Sequence, residues 1–111
     1  MPTHLRVECQ LAGARIYLSL GSQAVAAAIV RTTVEAMLRE TAIVYHHPTH
    51  AFMLLQVRGV CSRQQRRRLV KLWRWCSAAL HGKQVYHPRI RYSIRVARDF
   101  RRLLDAVEVA R

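Results

Sequence analysis

Residues 89–96, Arg89-Ile90-Arg91-Tyr92-Ser93-Ile94-Arg95-Val96, alternate a cationic or hydroxyl side chain with an apolar one without a break. A period of two is the pattern of a pleated strand with one face against a core. It predicts Ile90, Tyr92, Ile94 and Val96 inward, and Arg89, Arg91, Ser93 and Arg95 outward. Three arginines that close are costly to bury unpaired, so they are expected to meet solvent, phosphates or the carboxylates of a partner. A strand here puts a sheet in the chain, and so decides the fold class.

Immediately upstream, Ser62 to Leu80 (SRQQRRRLVKLWRWCSAAL) has the opposite period. Ser62 followed three residues later by Gln65 is a capping box. Leu69, Leu72, Trp73, Cys76 and Leu80 recur at helical spacing and form the stripe that packs on a core. Arg63, Arg67, Lys71 and Arg74 fall on the opposite side, with Arg68 and Trp75 on a flank. Gly82 is the expected C-terminal stop.

Further upstream the pattern mixes. Leu5, Val7 and Cys9, then Ala14, Ile16, Leu18 and Leu20, alternate with polar residues about a turn at Gly13, which predicts a β-hairpin. Ser22 caps a predicted helix to about Arg39, with Val25, Ile29, Thr33, Met37 and Leu38 buried. Thr41–His46 and Ala51–Val60 read as further strands, the second apolar on both faces and therefore central. A last helix is expected from an Asp99 cap, with Phe100, Leu103, Leu104 and Val107 as its stripe. Val44-Tyr45-His46-His47-Pro48 and Val85-Tyr86-His87-Pro88 each precede a predicted strand and helix, a hint of repetition. The expected architecture is one α/β (α+β) domain spanning 1–111, with one mixed sheet of about four or five strands and three helices.

Composition sets the partner class. The 111 residues carry 19 Lys+Arg against 6 Asp+Glu, a formal net charge of +13, and half are apolar. Such an imbalance repels itself and is relieved by a polyanion. Nucleic acid is the first expectation, an acidic protein or ribonucleoprotein surface the second, and an anionic membrane surface the third. The longest unbroken apolar run, Ala24 to Val30, is far short of the ~20 residues of a membrane span. The N-terminus shows no secretory pattern. Three cysteines, Cys9, Cys61 and Cys76, have no paired spacing and suggest a reducing, cytoplasmic setting.

A catalytic centre is hard to assemble. Neither a glycine-rich phosphate loop nor a nucleophile elbow is present, and the six acids are scattered. His46, His47 and His50 do not match a standard zinc spacing, so no metal and no cofactor is expected. Cys61 precedes the N-terminus of the cationic helix, where dipole and arginines lower a thiol pKa; a passive half-buried thiol is the favoured reading there and a reactive thiolate the alternative.

The stretch MPTHLRVEC resembles the N-terminal strand of the tautomerase superfamily, and residues 51–96 resemble its βαβ unit. That resemblance implies Pro2 as a prolyl general base and Arg58 or Arg39 as a carboxylate-binding residue. His46-His47-Pro48 after a helix is similar to the pterin carbinolamine dehydratases, whose later His and acidic residues have no counterpart here. The two imply incompatible folds, and neither is adopted.

The expected function is therefore binding of nucleic acid, RNA favoured. One contact surface is the cationic helix, with Arg63, Arg67, Arg68, Lys71, Arg74 and Trp75. The other is an Arg/Tyr sheet face carrying Arg15, Tyr17, Arg89, Arg91 and Arg95. A small tautomerase-like enzyme and an accessory subunit docking on a ribonucleoprotein are the alternatives. Homo-oligomerisation is left open, since the apolar side of the central strand needs a cover.

Overall fold

The computed structural model describes the backbone of residues 3–110 and the side chains of residues 5–107. Its elements are five α-helices: α1 (Thr3–Ser19), α2 (Gln23–Glu40), α3 (Pro48–Val57), α4 (Arg63–Leu80) and α5 (His87–Ala110). Among the described residues there is no strand. The α/β expectation is thus overturned, and with it the hairpin, the central strand and the Arg/Tyr sheet face.

The physical reason lies in what alternation means on a helix. Residues two apart on an α-helix lie about 200° apart around its axis. Apolar residues at every second position therefore describe either a strand with one apolar face or a helix with two. In α1, Ala14 and Leu18 are buried while Ile16 and Leu20 are exposed, 59% and 75%. In α5, Ile90 and Ile94 are buried on one side, and Tyr92 and Val96 pack on the other, toward α4. Ser93, expected outward, is fully buried, and its hydroxyl donates to the Arg89 carbonyl at 2.9 Å, as a mid-helix serine can. Asp99, expected as a cap, lies inside α5.

The segment read as a central strand is α3. His47 caps it, its ring nitrogen accepting from the Thr49 amide at 3.2 Å, and Pro48 occupies the first turn, where its missing N–H is no loss. Its apolar run serves a helix equally well: Phe52 and Leu55 are buried, Val57 exposed. Both Tyr-His-Pro strings therefore mark helix starts. Residues 41–46, also read as a strand, are a turn and irregular chain.

Helices α2 and α4 form where the sequence places them. In α2 the buried face is Ala26, Ala27, Val30, Thr33, Val34, Met37 and Leu38; Val25, expected inside, is exposed. The α1–α2 and α4–α5 turns share one device. Gly21 at φ 84° lets the Ser22 amide reach the Tyr17 carbonyl at 2.9 Å, and Gly82 at φ 80° lets the Lys83 amide reach Ala78 at 3.0 Å.

Helices α1, α2, α4 and α5 form a ring in that order, with α5 closing on α1. Short connections make neighbours antiparallel. Gln23 to the Val85 carbonyl at one end, and Arg101 to Glu40 at the other, run α2 and α5 in the same direction. That α2–α5 diagonal is in contact, whereas α1 and α4 do not meet. The core lies inside the ring, with Leu11, Val30, Met37, Leu72 and Ile90 fully buried. Helix α3 packs on α4 and brings Phe52 edge-on to Phe100 at 6.3 Å. No helix among the described residues is long and apolar enough to cross a membrane.

Candidate functional site

The α4 capping box is complete: Ser62 N donates to Gln65 Oε1 at 2.7 Å, and Gln65 N donates to Ser62 Oγ at 3.0 Å. The helix then buries Leu69, Leu72, Trp73, Cys76 and Ala79. Leu80, assigned to that stripe by spacing, is exposed at the helix end and Ala79 takes its place. Burial of that stripe forces Arg63, Arg67, Lys71 and Arg74 onto the opposite side, and all four are exposed, as is Arg68. Arg66 is the exception, its Nε held by Gln56 of α3.

Helix α5 runs beside α4. Trp75 meets Tyr92 edge to face at 5.6 Å, and Arg68 shares a groove of about 160 Å³ with Val96, Asp99 and Phe100. Arg89 closes the seam. Its guanidinium lies over Trp75 at 5.1 Å and beside Tyr86 at 5.4 Å, a cation–π arrangement that holds it in place. Trp75 is thus half-buried under α5, and Trp73, 5% exposed, is the core indole. Arg91 and Arg95, four residues apart on a helix, share the outward side of α5 with Arg102.

The described acids are all engaged elsewhere. Glu8 takes Arg98 at 3.2 Å, Glu35 takes Arg31 at 4.0 Å, and Asp99 takes Arg102 at 3.9 Å. Glu40 and Asp105 hold the buried Arg101, each at 2.8 Å. Among the described residues, none of Arg63, Arg67, Arg68, Lys71, Arg74, Arg89, Arg91 and Arg95 has an ion-pair partner. The result is a two-helix cationic surface with an aromatic seam of Trp75, Tyr92 and Tyr86.

Arg15 and Tyr17 do not join it. They lie on α1, which does not touch α4, and two residues apart they point to different sides of that helix. Tyr86, Tyr92 and Arg102 were missed as surface members. Tyr86 looked like a strand lead-in, and Tyr92 was assigned to the core face of a strand.

Other candidate chemistries fall away on geometry. Burial pushes the Cys61 thiol up, against a smaller opposing pull from Arg66, which agrees with the passive-thiol reading and not with a reactive thiolate; the thiol also lies 3.9 Å from the Phe52 carbonyl. His47 is used as a cap, while His46 and His50 stack at 5.9 Å. The described residues contain no group of three potential metal ligands. Thr3 to Cys9 are helical, so the tautomerase-like strand is overturned; Pro2 itself lies outside the described residues. No family model, curated protein or solved structure matches this chain.

Proposed function

We propose that the chain is a docking module for a polyanion, and that its contact surface is the outer side of the α4–α5 pair. The supporting observation is the set of eight exposed or stacked cations with no ion-pair partner among the described residues, on two adjacent helices. Forming that surface leaves like charges side by side, a repulsion that a polyanion removes. The sheet-based stacking platform plays no part, because the described residues form no sheet, and the preference for RNA that rested on it falls with it. Contact is electrostatic, through helix-borne guanidinium and ammonium groups, with Trp75 and Arg89 as the fixed centre. Nucleic-acid phosphate is the first class to test and an acidic polypeptide the second. Three unpaired thiols fit a reducing setting for either.

The experiment is a salt-titrated binding measurement with duplex DNA and with polyglutamate as probes. Arg67→Gln together with Lys71→Gln should lower the slope of log affinity against log salt for DNA by roughly one per lost phosphate contact. The corresponding change at Arg15 should leave the slope unaltered. An unchanged slope in the α4 variant removes this surface from consideration. Stronger binding of polyglutamate than of DNA moves the partner to the acidic-protein class.

A further inference from the structure

Among its described residues, helix α1 presents an apolar outer face. Its inward side carries Val7, Leu11, Ala14 and Leu18, all buried against α2 and α5. Its outward side carries Leu5, Cys9, Ala12 and Ile16, continued by Leu20 in the turn just past the helix, at spacings of four, three, four and four residues, which is again one helical stripe. Every member of that second stripe is exposed, and Leu5 is 46% exposed. An apolar stripe of this length on a chain of net charge +13 marks an interaction surface.

We infer that this stripe is a homodimer seam in which α1 packs antiparallel on α1 of a second copy. The choice of occupant rests on the flanks. On one flank lie Glu8 and Arg15, and on the other Arg6 and Tyr17, four exposed or half-exposed side chains. An antiparallel two-fold pairing brings each flank against the same flank of the second copy. With the axis passing between Ala12 and Gly13, Leu5 faces Leu20 of the second copy and Cys9 faces Ile16. The same register sets Glu8, which accepts from Arg98 of its own chain but keeps 45% of its side chain exposed, near Arg15 of the second copy, and sets Arg6 near Tyr17, twice each by symmetry. The flanks are therefore self-complementary: an ion pair on one side, a cation–π pair on the other. A parallel pairing at equal height sets each flank against the opposite one, Glu8 near Arg6 and Tyr17 near Arg15, and also brings Cys9 beside Cys9. At the two-fold axis sit two small residues, Ala12 and Gly13, and a Cβ added at Gly13 would meet nothing within 4 Å of its own chain. Close approach of the helices there is unobstructed. The seam is independent of the polyanion reading. Because α1 and α4 are opposite corners of the ring, it leaves both cationic surfaces of a dimer facing away from the shared helix.

The test is sedimentation equilibrium of the full chain over a wide concentration range. The wild type should show a monomer–dimer equilibrium. Ile16→Glu with Leu20→Glu should give a monomer whose circular dichroism matches the wild type, since both residues are exposed. Arg15→Glu should weaken the dimer at least several-fold, by placing carboxylate against Glu8. Oxidative crosslinking reads the register. The two Cys9 residues sit roughly 10 Å apart along the axis, at 1.5 Å per residue, beyond disulfide reach. Ala12→Cys in a Cys9→Ser background should crosslink readily. A wild type that stays monomeric at all concentrations overturns the inference, as does a dimer untouched by the Ile16/Leu20 change. Rapid Cys9–Cys9 crosslinking replaces the antiparallel register with a parallel one.

Discussion

Helices α1 and α4 are nearly the same length and occupy opposite corners of one ring, yet their outer faces are opposites. Outside, α4 shows Arg63, Arg67, Lys71 and Arg74; α1 shows Leu5, Cys9, Ile16 and Leu20. The inner faces are alike, five and four small-to-large apolar side chains in a stripe. What separates the two helices is therefore the partner each outer face suits. In the proposed reading, charge on α4 calls for a polyanion and keeps copies apart, and the apolar stripe on α1 brings them together. On that reading one molecule carries two contact surfaces with opposite sensitivity to salt. Screening weakens polyanion binding at α4, and it relieves repulsion between the two +13 chains at α1.

The sharpest test of the α4 side is its pair of tryptophans. Trp73, 5% exposed, lies in the ring, with Arg31 over its face at 4.4 Å. Trp73→Ala should cost about 3–5 kcal/mol of stability, read from urea midpoints. Trp75→Ala removes only the half-buried seam with Tyr92 and Arg89 and should cost clearly less, while lowering polyanion affinity. Equal losses would show that the seam is part of the core.

The thiols extend the inner-versus-outer comparison. Cys9, on the outer face of α1, should react with a thiol reagent in the folded dilute protein, and Cys76, inside α4, should not. Burial pushes the Cys76 thiol from 9.0 up to about 11, with Ser93 and Arg31 opposing. The folded state thus holds this proton more tightly than the unfolded chain. Below pH 9 both states keep it and there is no difference. Between pH 9 and 11 the unfolded chain ionises first, so folding should lose up to about 2–3 kcal/mol from this group. Comparing urea midpoints of wild type and Cys76→Ala from pH 8 to 10.5 isolates the effect; a constant difference would show that the thiol titrates alike in both states.

The same contrast explains what could be read from sequence. Helix α4 was legible because its charges mark one side and so fix the phase: the cap, the stripe and the outward cations were all placed correctly apart from Leu80. Helix α2 was legible in extent but not fully in phase, since alanines surround it. Helix α1 and the first half of α5 were misread because each is apolar on two sides. In α5 the second side meets α4; in α1 it meets no other described part of the chain. A helix that packs on two neighbours looks, residue by residue, like a strand that packs on one. Length was the neglected arbiter, because two alternating runs separated only by Leu11 to Gly13 form a single 17-residue helix as readily as a hairpin. The candidate surface suffered half this loss. Its α4 cations are exposed on the side the spacing assigned them, Arg91 and Arg95 are exposed on a helix instead of a strand, and Arg15 and Tyr17 lie on a helix that does not touch α4.

A smaller effect concerns how α4 begins. Ser62→Ala removes the hydroxyl that accepts the Gln65 amide and should cost about 1 kcal/mol. Polyanion binding measured well below the melting point should be unchanged, because the substitution removes no charge. A loss of affinity out of proportion to stability would make the first turn of α4 part of the contact.

The smallest predicted change in stability is the most diagnostic for α1. Gly13 is mid-helix, with no positive φ to hold and open space where a Cβ would go. Gly13→Ala should therefore stabilise an isolated monomer by about 0.5–1 kcal/mol, since glycine is the poorer helix former. In the dimer the added methyl group sits beside the two-fold axis, where the helices approach most closely, and should weaken association. The two readouts must move in opposite directions. The monomer arm is measured in the Ile16→Glu, Leu20→Glu background, the dimer arm in the wild-type chain. A variant that is stabilised in the first and associates as before in the second would show that the helices do not meet at Gly13, and would shift the seam toward Ile16 and Leu20 alone.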